Sequence, residues 1–310
     1  MAEPATAPEP EITELATGLQ FPEGPIALPD GGALVVELRP GTLTRVPPGG
    51  GTTEVVAELG GAPNGAAIGP DGACYVANNG GFRWTEVNGR VLAFDPATGS
   101  SEPDGFRGGW IDRVDLRTGD HTVLYRECDG DHFLGPNDIV FDTEGGFWFT
   151  DFGKSYRRSV DRGAVYYALA DGSRVTCVAS GLNGPNGVGL SPAGDRLYVA
   201  ETYTGRLLAW DLSGPGQVAS PAPTVVVATK GHFDSLAVEA GGNVVVAALR
   251  RGLCVVAPDG SAHEYVPLPD TSTTNVCFAG DDLRTVYVTM WSTARLVSFE
   301  WPRPGLRLAY

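Results

Sequence analysis

The most constraining feature of this sequence is a short pattern that recurs six times. Each copy contains an apolar run, a turn rich in Gly, Asp or Pro, and a second apolar run. The copies begin at positions 23, 64, 137, 186, 234 and 275, with spacings of 41, 73, 49, 48 and 41 residues. Units of about 40–45 residues built from short strands are typical of propeller blades. The sequence therefore predicts an all-β fold, a six-bladed β-propeller with four-stranded blades.

The runs between the copies support one continuous domain. Val, Ile, Tyr, Phe and Thr alternate there with polar residues, as in half-buried strands. The chain has 43 Gly and 24 Pro among 310 residues, which suits many short strands joined by tight turns. We expect a single propeller domain over residues 11–310, in which residues 11–18 pair with the last strand and close the circle. Residues 1–10 are expected to form a disordered tail.

Charge and cysteine content limit the partners and the compartment. The formal net charge is −15, which argues against nucleic acid or an anionic membrane as a partner. No run approaches the ~18 apolar residues that a membrane span needs. Five scattered cysteines without a C-x-x-C pattern predict reduced thiols, and "MAEPATAPEP" does not look like a signal peptide. We expect a cytoplasmic protein, a monomer or weak homo-oligomer, that acts on a small molecule.

The first residue of every copy carries a side-chain oxygen. We call these six positions the channel ring, which consists of Glu23, Asn64, Asn137, Asn186, Asp234 and Asn275. The first strand of each propeller blade lines the central channel, so equivalent positions lie at one level of it. Carboxylate and amide oxygens are ligands of hard cations, and Ca²⁺ takes 6–8 of them. The pattern predicts a central metal-binding channel with one divalent cation, Ca²⁺ before Mn²⁺, Mg²⁺ or Zn²⁺. The alternative for any single position is an Asn or Asp that only binds local backbone groups.

One spacing exceeds its neighbour by 32 residues, and the excess lies in residues 79–110. An insertion of this length is usually functional or disordered, and its aromatic residues favour a lid or a pocket wall. The alternative is that it only extends the second blade. Strand direction predicts that Phe82 and Trp84 meet Tyr203 and Trp291 in an apolar substrate-binding wall, with Lys154 and Arg157 as nearby cations. Such a wall would favour a substrate with an apolar or aromatic part.

Several motifs also resemble a known family. They are "FPEGP", "GPNDIVFDTEGGFWFTDFG", "NGPNGVGLSP", "DSLAV" and "WPRPGL". Over residues 12–308 the chain resembles the SMP-30/gluconolactonase/luciferin-regenerating-enzyme (LRE)-like family of six-bladed propeller hydrolases. The resemblance implies that Glu23, Asn186 and Asp234 hold one divalent ion.

The resemblance also bears on two neighbouring positions. Related diisopropyl-fluorophosphatase-like enzymes add the Asn of an N-D pair to the metal ligands, which matches Asn137. The adjacent Asp138 then looks like an acid close to the metal. The sugar-lactonase branch has an Arg two residues before this Asn, where the present chain has Gly135, so the resemblance does not extend to that substrate contact.

These observations predict a metal-dependent hydrolase of lactones or related esters. The metal would polarise the carbonyl group, and a carboxylate would activate water. Asp234 is the first candidate for that base, Asp138 is a second, and His232, two positions upstream of Asp234, is the runner-up. Asn64 is assigned to substrate binding, and Asp151 and Glu201 are possible ligands of a second site. Two alternatives stay open: the same site used for non-hydrolytic biosynthetic chemistry such as isomerisation or cyclisation, and a non-catalytic binding propeller with a structural ion.

Overall fold

The computed structural model describes residues 5–310, and its regular elements in that range are all β-strands. A helix long and apolar enough to cross a membrane does not occur in these residues. The first two strands, β1 (Ala5–Thr6) and β2 (Thr13–Thr17), join sheets that are formed by later parts of the chain.

The first half of the chain forms three four-stranded blades and two small hairpins. Blade 1 contains β3 (Pro22–Ala27), β4 (Ala33–Glu37), β5 (Thr42–Val46) and β6 (Glu54–Glu58). Blade 2 contains β7 (Pro63–Ile68), β8 (Cys74–Asn78), β11 (Trp110–Val114) and β12 (His121–Tyr125), and its insertion forms the hairpin β9 (Thr85–Val87) and β10 (Arg90–Leu92). A second hairpin, β13 (Glu127–Cys128) and β14 (Asp131–His132), precedes blade 3, which contains β15 (Pro136–Phe141), β16 (Gly146–Asp151), β17 (Gly163–Leu169) and β18 (Val175–Leu182).

The second half forms three more blades. Blade 4 contains β19 (Pro185–Leu190), β20 (Arg196–Glu201), β21 (Arg206–Gly214) and β23 (Thr224–Ala228), with the short β22 (Gln217–Val218) also paired to β21. Blade 5 contains β24 (His232–Val238), β25 (Val244–Leu249), β26 (Gly252–Val256) and β27 (His263–Val266). Blade 6 contains β28 (Thr273–Ala279), β29 (Thr285–Met290), β30 (Arg295–Glu300) and, as its outer strand, β2. The predicted six-bladed propeller is confirmed.

The two ends of the chain meet in blade 6. The outer strand β2 pairs antiparallel with β30, with Thr13 opposite Ser298 and Thr17 opposite Arg295. This confirms the predicted closure, which removes an edge that would otherwise be open. In addition, β1 pairs parallel with β27 and adds a fifth strand to blade 5. Part of the segment expected to be a tail therefore forms a strand at residues 5 and 6, whereas residues 1–4 lie outside the described range.

The hydrophobic core is divided among the interfaces between neighbouring blades. Six clusters of buried side chains are present, one for each pair of adjacent blades. Strand β16 shows why: Phe147 and Phe149 pack toward blade 2, whereas Trp148 packs toward blade 4. Successive side chains of a strand lie on opposite faces, so a strand between two blades must be apolar on both. This explains why the recurring runs are continuously apolar.

Candidate functional site

The inner strand of each blade borders a central channel. Neighbouring inner strands contact one another in a closed circuit, in the order β3, β7, β15, β19, β24, β28 and back to β3. All six line one cavity of about 1290 Å³, together with the turns that follow these strands and the C-terminal residues 306–310. This cavity therefore lies at the end of the channel where the inner strands end, and Asp138 and Asn275 border it from the other side. We call the end of the channel where the inner strands begin the channel mouth. The residues of the channel ring lie at this end, one or two positions after the start of their strands in most blades.

Every inner strand has an irregularity of pairing at the channel ring. The register shifts lie between Glu23 and Ile26, Pro63 and Gly65, Pro136 and Ile139, Pro185 and Val188, Phe233 and Leu236, and Thr273 and Asn275. A β-bulge interrupts the strict alternation of side chains and re-aims the bulged residue. The six bulges therefore allow the polar side chains of the channel ring to point in a different direction from the apolar side chains on either side of them.

Small residues next to the channel ring allow the inner strands to approach closely. A Cβ atom added to Gly24 would lie 2.7 Å from the backbone oxygen of Asn64. A Cβ atom added to Gly65 would lie 2.6 Å from the backbone oxygen of Asn137 and 2.7 Å from Oδ1 of Asp138. These contacts are too short for any other residue type. The glycine that follows a ring residue thus brings the ring residues of adjacent blades together.

Three buried or half-buried carboxyl groups influence one another in this part of the channel. Burial raises the pKa of Glu23 well above its ordinary value, and the charges of Asp234 and Asp138 raise it further. Burial likewise raises the pKa of Asp138 to about 7. The pKa of Asp234 is also raised by burial to about 7, with a further contribution from the charge of Asp138. Like charges at such a site are relieved either by protons or by a bound cation.

The amide side chains of the channel ring complete a set of oxygen donors. Oδ1 of Asn137 is buried and has no hydrogen-bond partner among the described residues. Nδ2 of Asn275 donates to Oε2 of Glu23 at 3.0 Å. Oδ1 of Asn186 accepts a hydrogen bond from the hydroxyl of Ser235 at 3.3 Å and retains a second lone pair. A hard cation bound here would be coordinated by the amide oxygen of Asn137 and would offset the negative charge of the carboxylates.

The predicted ligand set therefore fits a hard divalent cation. Glu23 and Asp234 would contribute negative charge, and Asn137 and Asn186 would contribute amide oxygens. Among residues 5–310, His, Cys, Asp and Glu alone form no group of three or more that could hold a metal ion. The fit consequently depends on the two asparagines as well as on the carboxylates.

The other predicted catalytic residues differ in their surroundings. Asp138 is buried, and its Oδ1 accepts the backbone N–H of Ile139 at 2.9 Å. His232 is exposed at the mouth, where its Nδ1 lies 3.1 Å from the backbone oxygen of Thr202. A carbonyl oxygen can only accept, so this contact places the proton on Nδ1 and leaves the Nε2 lone pair free in the neutral ring. Asn64, assigned to substrate binding, is buried in the channel ring.

Three of the predicted wall residues gather around a residue that the sequence analysis missed. Phe21 stacks on Trp291 with ring centroids 4.5 Å apart and meets Trp84 edge-on at 5.3 Å. Phe82 packs edge-on against Trp84 at 5.7 Å. Tyr203 does not join this group, because it is exposed and packs instead against Phe152. The signal for Phe21 was its place two residues before Glu23 in the motif "FPEGP".

Lys154, predicted as a cation near the aromatic wall, lies 4.4 Å from the ring of Phe82. Its side chain is buried, and Nζ donates to the backbone oxygens of Asn79 at 3.1 Å and Gly81 at 2.7 Å, and also to Oδ1 of Asn79. Burial lowers the pKa of Lys154 to about 7, opposed by the nearby carboxylates. Arg157 is exposed. The ammonium group therefore holds the start of the insertion in place.

A second set of buried polar side chains ends the second strand in blades 1 to 4. We call Glu37, Asn78, Asp151 and Glu201 the cap set. Each accepts a backbone N–H from the loop before the inner strand of its own blade: Gln20 to Glu37 at 2.6 Å, Ala62 to Asn78 at 2.9 Å, Leu134 to Asp151 at 2.7 Å and Asn183 to Glu201 at 2.8 Å. The oxygens considered for a second metal site are thus engaged in fixing loops.

Comparison with known proteins finds sequence similarity to lactonases and a shared fold with solved structures. The gluconolactonase of Zymomonas mobilis subsp. mobilis is 23% identical over 307 residues, which cover 89% of this chain and 78% of the relative. Lactonase drp35 of Staphylococcus haemolyticus is 37% identical over 123 residues, covering 39% of this chain and only 37% of that lactonase. A solved calcium-binding protein, regucalcin from Agrobacterium tumefaciens, has the same fold, with a TM-score of 0.72 and 20% identity over 98% of this chain and 99% of that chain.

The family itself is established by a match over most of the chain. The matching family model is described as "SMP-30/Gluconolactonase/LRE-like region", and it covers residues 21–292. That range begins two residues before Glu23 and extends past β29 in blade 6, so it includes all six inner strands. The chain therefore belongs to the SMP-30/gluconolactonase/LRE-like family.

Proposed function

We propose that this protein is a metal-dependent hydrolase that opens lactones or closely related esters at the channel mouth. The observation that carries the proposal is the channel ring, in which two carboxylates converge from different blades with a buried amide oxygen that no donor of residues 5–310 meets. The lactonase and gluconolactonase relatives support the reaction class.

Glu23, Asn137, Asn186 and Asp234 are the residues that would hold the cation. When bound, a divalent cation supplies Lewis-acid polarisation of an ester carbonyl and charge stabilisation at its oxygen. Ca²⁺ is the first choice because all four donors are oxygens, and a structural neighbour is described as a calcium-binding protein. Mn²⁺, Mg²⁺ and Zn²⁺ are the alternatives, since such donor sets are permissive.

The remaining chemistry belongs to the protein's own groups. A water oxygen bonds to the acyl carbon, the ring C–O bond breaks, and the proton taken from water returns to the departing oxygen as the hydroxy acid forms. Asp234 is our first choice to accept and return that proton, with Asp138 beside it in the channel. The free Nε2 of His232 is the third candidate, from its exposed position at the mouth. Asn64 would contact the substrate from the neighbouring blade.

The five cysteines are all free, which supports a reducing, cytoplasmic location. Their thiols take no part in the proposed reaction.

The test is a panel of lactones assayed with metal-stripped protein and with Ca²⁺, Mn²⁺, Mg²⁺ or Zn²⁺ restored. We expect hydrolysis of at least one lactone, its loss on chelation and its recovery with one of the ions. Cation-dependent thermal stabilisation without hydrolysis of any lactone or ester would contradict the proposal and favour a structural ion. Conversion of a substrate without uptake of water, followed by mass spectrometry, would favour the isomerase or cyclase alternative.

A further inference from the structure

The insertion of blade 2 is a folded element beside the channel mouth. It leaves the sheet after Asn78 and returns at Trp110, which is paired with Asn78 itself. Inside it, the backbone N–H of Arg83 donates to the oxygen of Ser101 at 2.8 Å. The Tyr156 hydroxyl, from the loop after β16, donates to Oε2 of Glu102 at 3.0 Å. The insertion is therefore fixed both to itself and to blade 3.

A cavity of about 380 Å³ lies between this insertion and blade 2. Its side-chain walls are mainly aromatic, with Phe82, Trp84, Phe106 and Trp110. Glycines supply much of the remaining lining, and they leave flat backbone surface where side chains would otherwise fill the space. We call this cavity the aromatic pocket. Its volume falls within the range of about 300–1,000 Å³ that is usual for small-molecule sites.

One buried cation fixes two walls of the aromatic pocket. The ammonium group of Lys154 lies over the ring of Phe82 at 4.4 Å and over the ring of Phe106 at 4.6 Å. The same group holds Gly81 through its backbone oxygen, as described above. Because the rings are held by a charge that is itself surrounded by fixed acceptors, the pocket is preformed rather than collapsed.

A series of aromatic contacts leads from the aromatic pocket to Phe21, two residues before Glu23 of the channel ring. Trp84 borders the pocket and also meets Phe21, which stacks on Trp291. Phe21 has a φ of 62°, in the left-handed region that a bulky residue rarely adopts. Such local strain persists only where the surroundings over-determine it, and it concentrates at ligand sites. Two residues later the chain reaches Glu23.

We propose that the aromatic pocket binds a flat aromatic or cyclic apolar group of the substrate while the carbonyl head of the same molecule lies at the channel ring. This assignment of substrate class rests on the proposed function, but binding in the pocket is separable from hydrolysis. Four aromatic walls and a glycine lining favour a planar group by stacking and close approach. Among the described residues that line the pocket, two are charged, Asp104 and Arg107, and both are exposed.

The first experiment measures binding without hydrolysis. The probes are two lactams, 5-phenyl-2-pyrrolidinone and unsubstituted 2-pyrrolidinone, titrated against the full chain by tryptophan fluorescence or calorimetry. We expect wild type to bind the phenyl lactam, and Phe106→Ala to weaken that binding about fivefold to tenfold, the size of one lost aromatic contact. Phe106→Leu keeps the bulk and is expected to lose less.

The matched control is Phe94→Ala, the same change at an exposed phenylalanine of the same insertion that does not line the pocket. Its affinity for the phenyl lactam is expected to stay within about twofold of wild type. Equal affinity of wild type for the two lactams, or equal losses in Phe106→Ala and Phe94→Ala, would overturn the inference. Near-ultraviolet circular dichroism of both variants shows whether the insertion remains folded, and Phe106→Leu replaces Phe106→Ala if it does not.

The second experiment compares kcat/KM for γ-phenyl-γ-butyrolactone and γ-butyrolactone. We expect Phe106→Ala to lower the ratio of the two values about fivefold to tenfold by raising KM for the phenyl substrate. Loss of phenyl-lactam binding in Phe106→Ala, with no lactone hydrolysed by wild type, would retain the aromatic pocket and reject the hydrolase. Hydrolysis of both lactones with an unchanged ratio would retain the hydrolase and reject the aromatic pocket.

Discussion

The channel ring and the cap set are both groups of largely buried polar side chains, and in blades 1 to 4 they lie at the ends of neighbouring strands. The first residues of β3, β7, β15 and β19 are directly opposite members of the cap set, and the ring residues follow them. Yet every member of the cap set accepts a backbone N–H at 2.6–2.9 Å. In the channel ring, Oδ1 of Asn137 accepts no hydrogen bond from the described residues.

The difference shows how a structural role and a functional role of a buried polar residue can be distinguished. A buried acceptor that is met by backbone donors contributes to the fold, because removing it leaves those donors unpaired. A buried acceptor that is left unmet, with like charges around it, weakens the folded state unless something else binds there. We therefore expect substitutions in the cap set to lower stability and substitutions in the channel ring to lower function.

The largest effect is expected at the channel ring. Asp234→Asn removes a charge from the predicted ligand set and a candidate base, and we expect kcat/KM for lactones to fall at least about 10³-fold. Stability in chelator should be unchanged or slightly higher, because the repulsion from Asp138 is reduced. Asp259→Asn, the same change in an exposed turn of blade 5, is the control and should retain full activity. Wild-type turnover in Asp234→Asn would contradict the functional role of the channel ring.

The second effect concerns the cap set. Glu201 is buried and accepts hydrogen bonds from Asn183, from the hydroxyl of Thr204 at 2.6 Å and from Arg206. Glu201→Ala leaves these donors unpaired and should lower the free energy of unfolding by about 3 kcal/mol, measured by urea denaturation. Activity per folded molecule should be retained.

The control for this change is Glu54→Ala, at an exposed position of the outer strand β6, where we expect a change within about 0.5 kcal/mol. A stable but inactive Glu201→Ala protein would show that Glu201 serves function rather than stability.

The third effect separates two members of the cap set by pH. Burial raises the pKa of Asp151 from 3.8 to about 6. Between these values the folded state binds more protons than the unfolded state, so the contribution of Asp151 to stability falls as pH rises, by up to about 3 kcal/mol. For Glu201, burial acts to raise the pKa, but hydrogen bonds from Thr204, Asn183 and Arg206 outweigh it and the pKa is lowered. Its contribution is present above about pH 4.5 and is lost as pH falls through the lowered pKa.

Urea denaturation of wild type, Asp151→Asn and Glu201→Gln from about pH 3 to pH 6.5 tests this contrast. The stability difference between wild type and Asp151→Asn should fall between about pH 4 and pH 6, whereas the difference between wild type and Glu201→Gln should rise up to about pH 4.5 and then stay level. Slopes of the same sign would show that the arginine partner of Glu201 does not distinguish the two sites.

The smallest effect compares two asparagines. Asn137→Ala removes an oxygen that accepts no hydrogen bond within the described part of the chain, so we expect apo stability to change by less than about 0.5 kcal/mol. The affinity for Ca²⁺, measured by calorimetry, should weaken about tenfold, or about 1.4 kcal/mol. Asn78→Ala removes an oxygen that accepts the backbone N–H of Ala62. This change should lower apo stability and leave the affinity for Ca²⁺ unchanged. Equal effects of the two changes on Ca²⁺ binding would erase the distinction between the sets.

Much of the fold was predictable because each blade of a propeller repeats the same sequence pattern. Six copies of one pattern indicated six blades, and residues 11–18 were correctly expected to close the circle beside β30. The additional pairing of β1 with β27 was not predicted, since two residues carry no periodic signal. The six coincident polar positions indicated the channel ring, although nothing in a single copy separates a ligand from a local backbone contact.

The sequence by itself determined the number of blades, the closure and the level at which polar side chains enter the channel, because all three follow from a local pattern repeated along the chain. Only the tertiary structure decided which polar groups are already satisfied, where Lys154 lies, and that Phe21 joins Trp84 to Trp291. These features depend on contacts between residues that are far apart in sequence. Whether a buried oxygen finds a donor is settled by how loops and strands pack around it in the folded blades, and no local pattern encodes it.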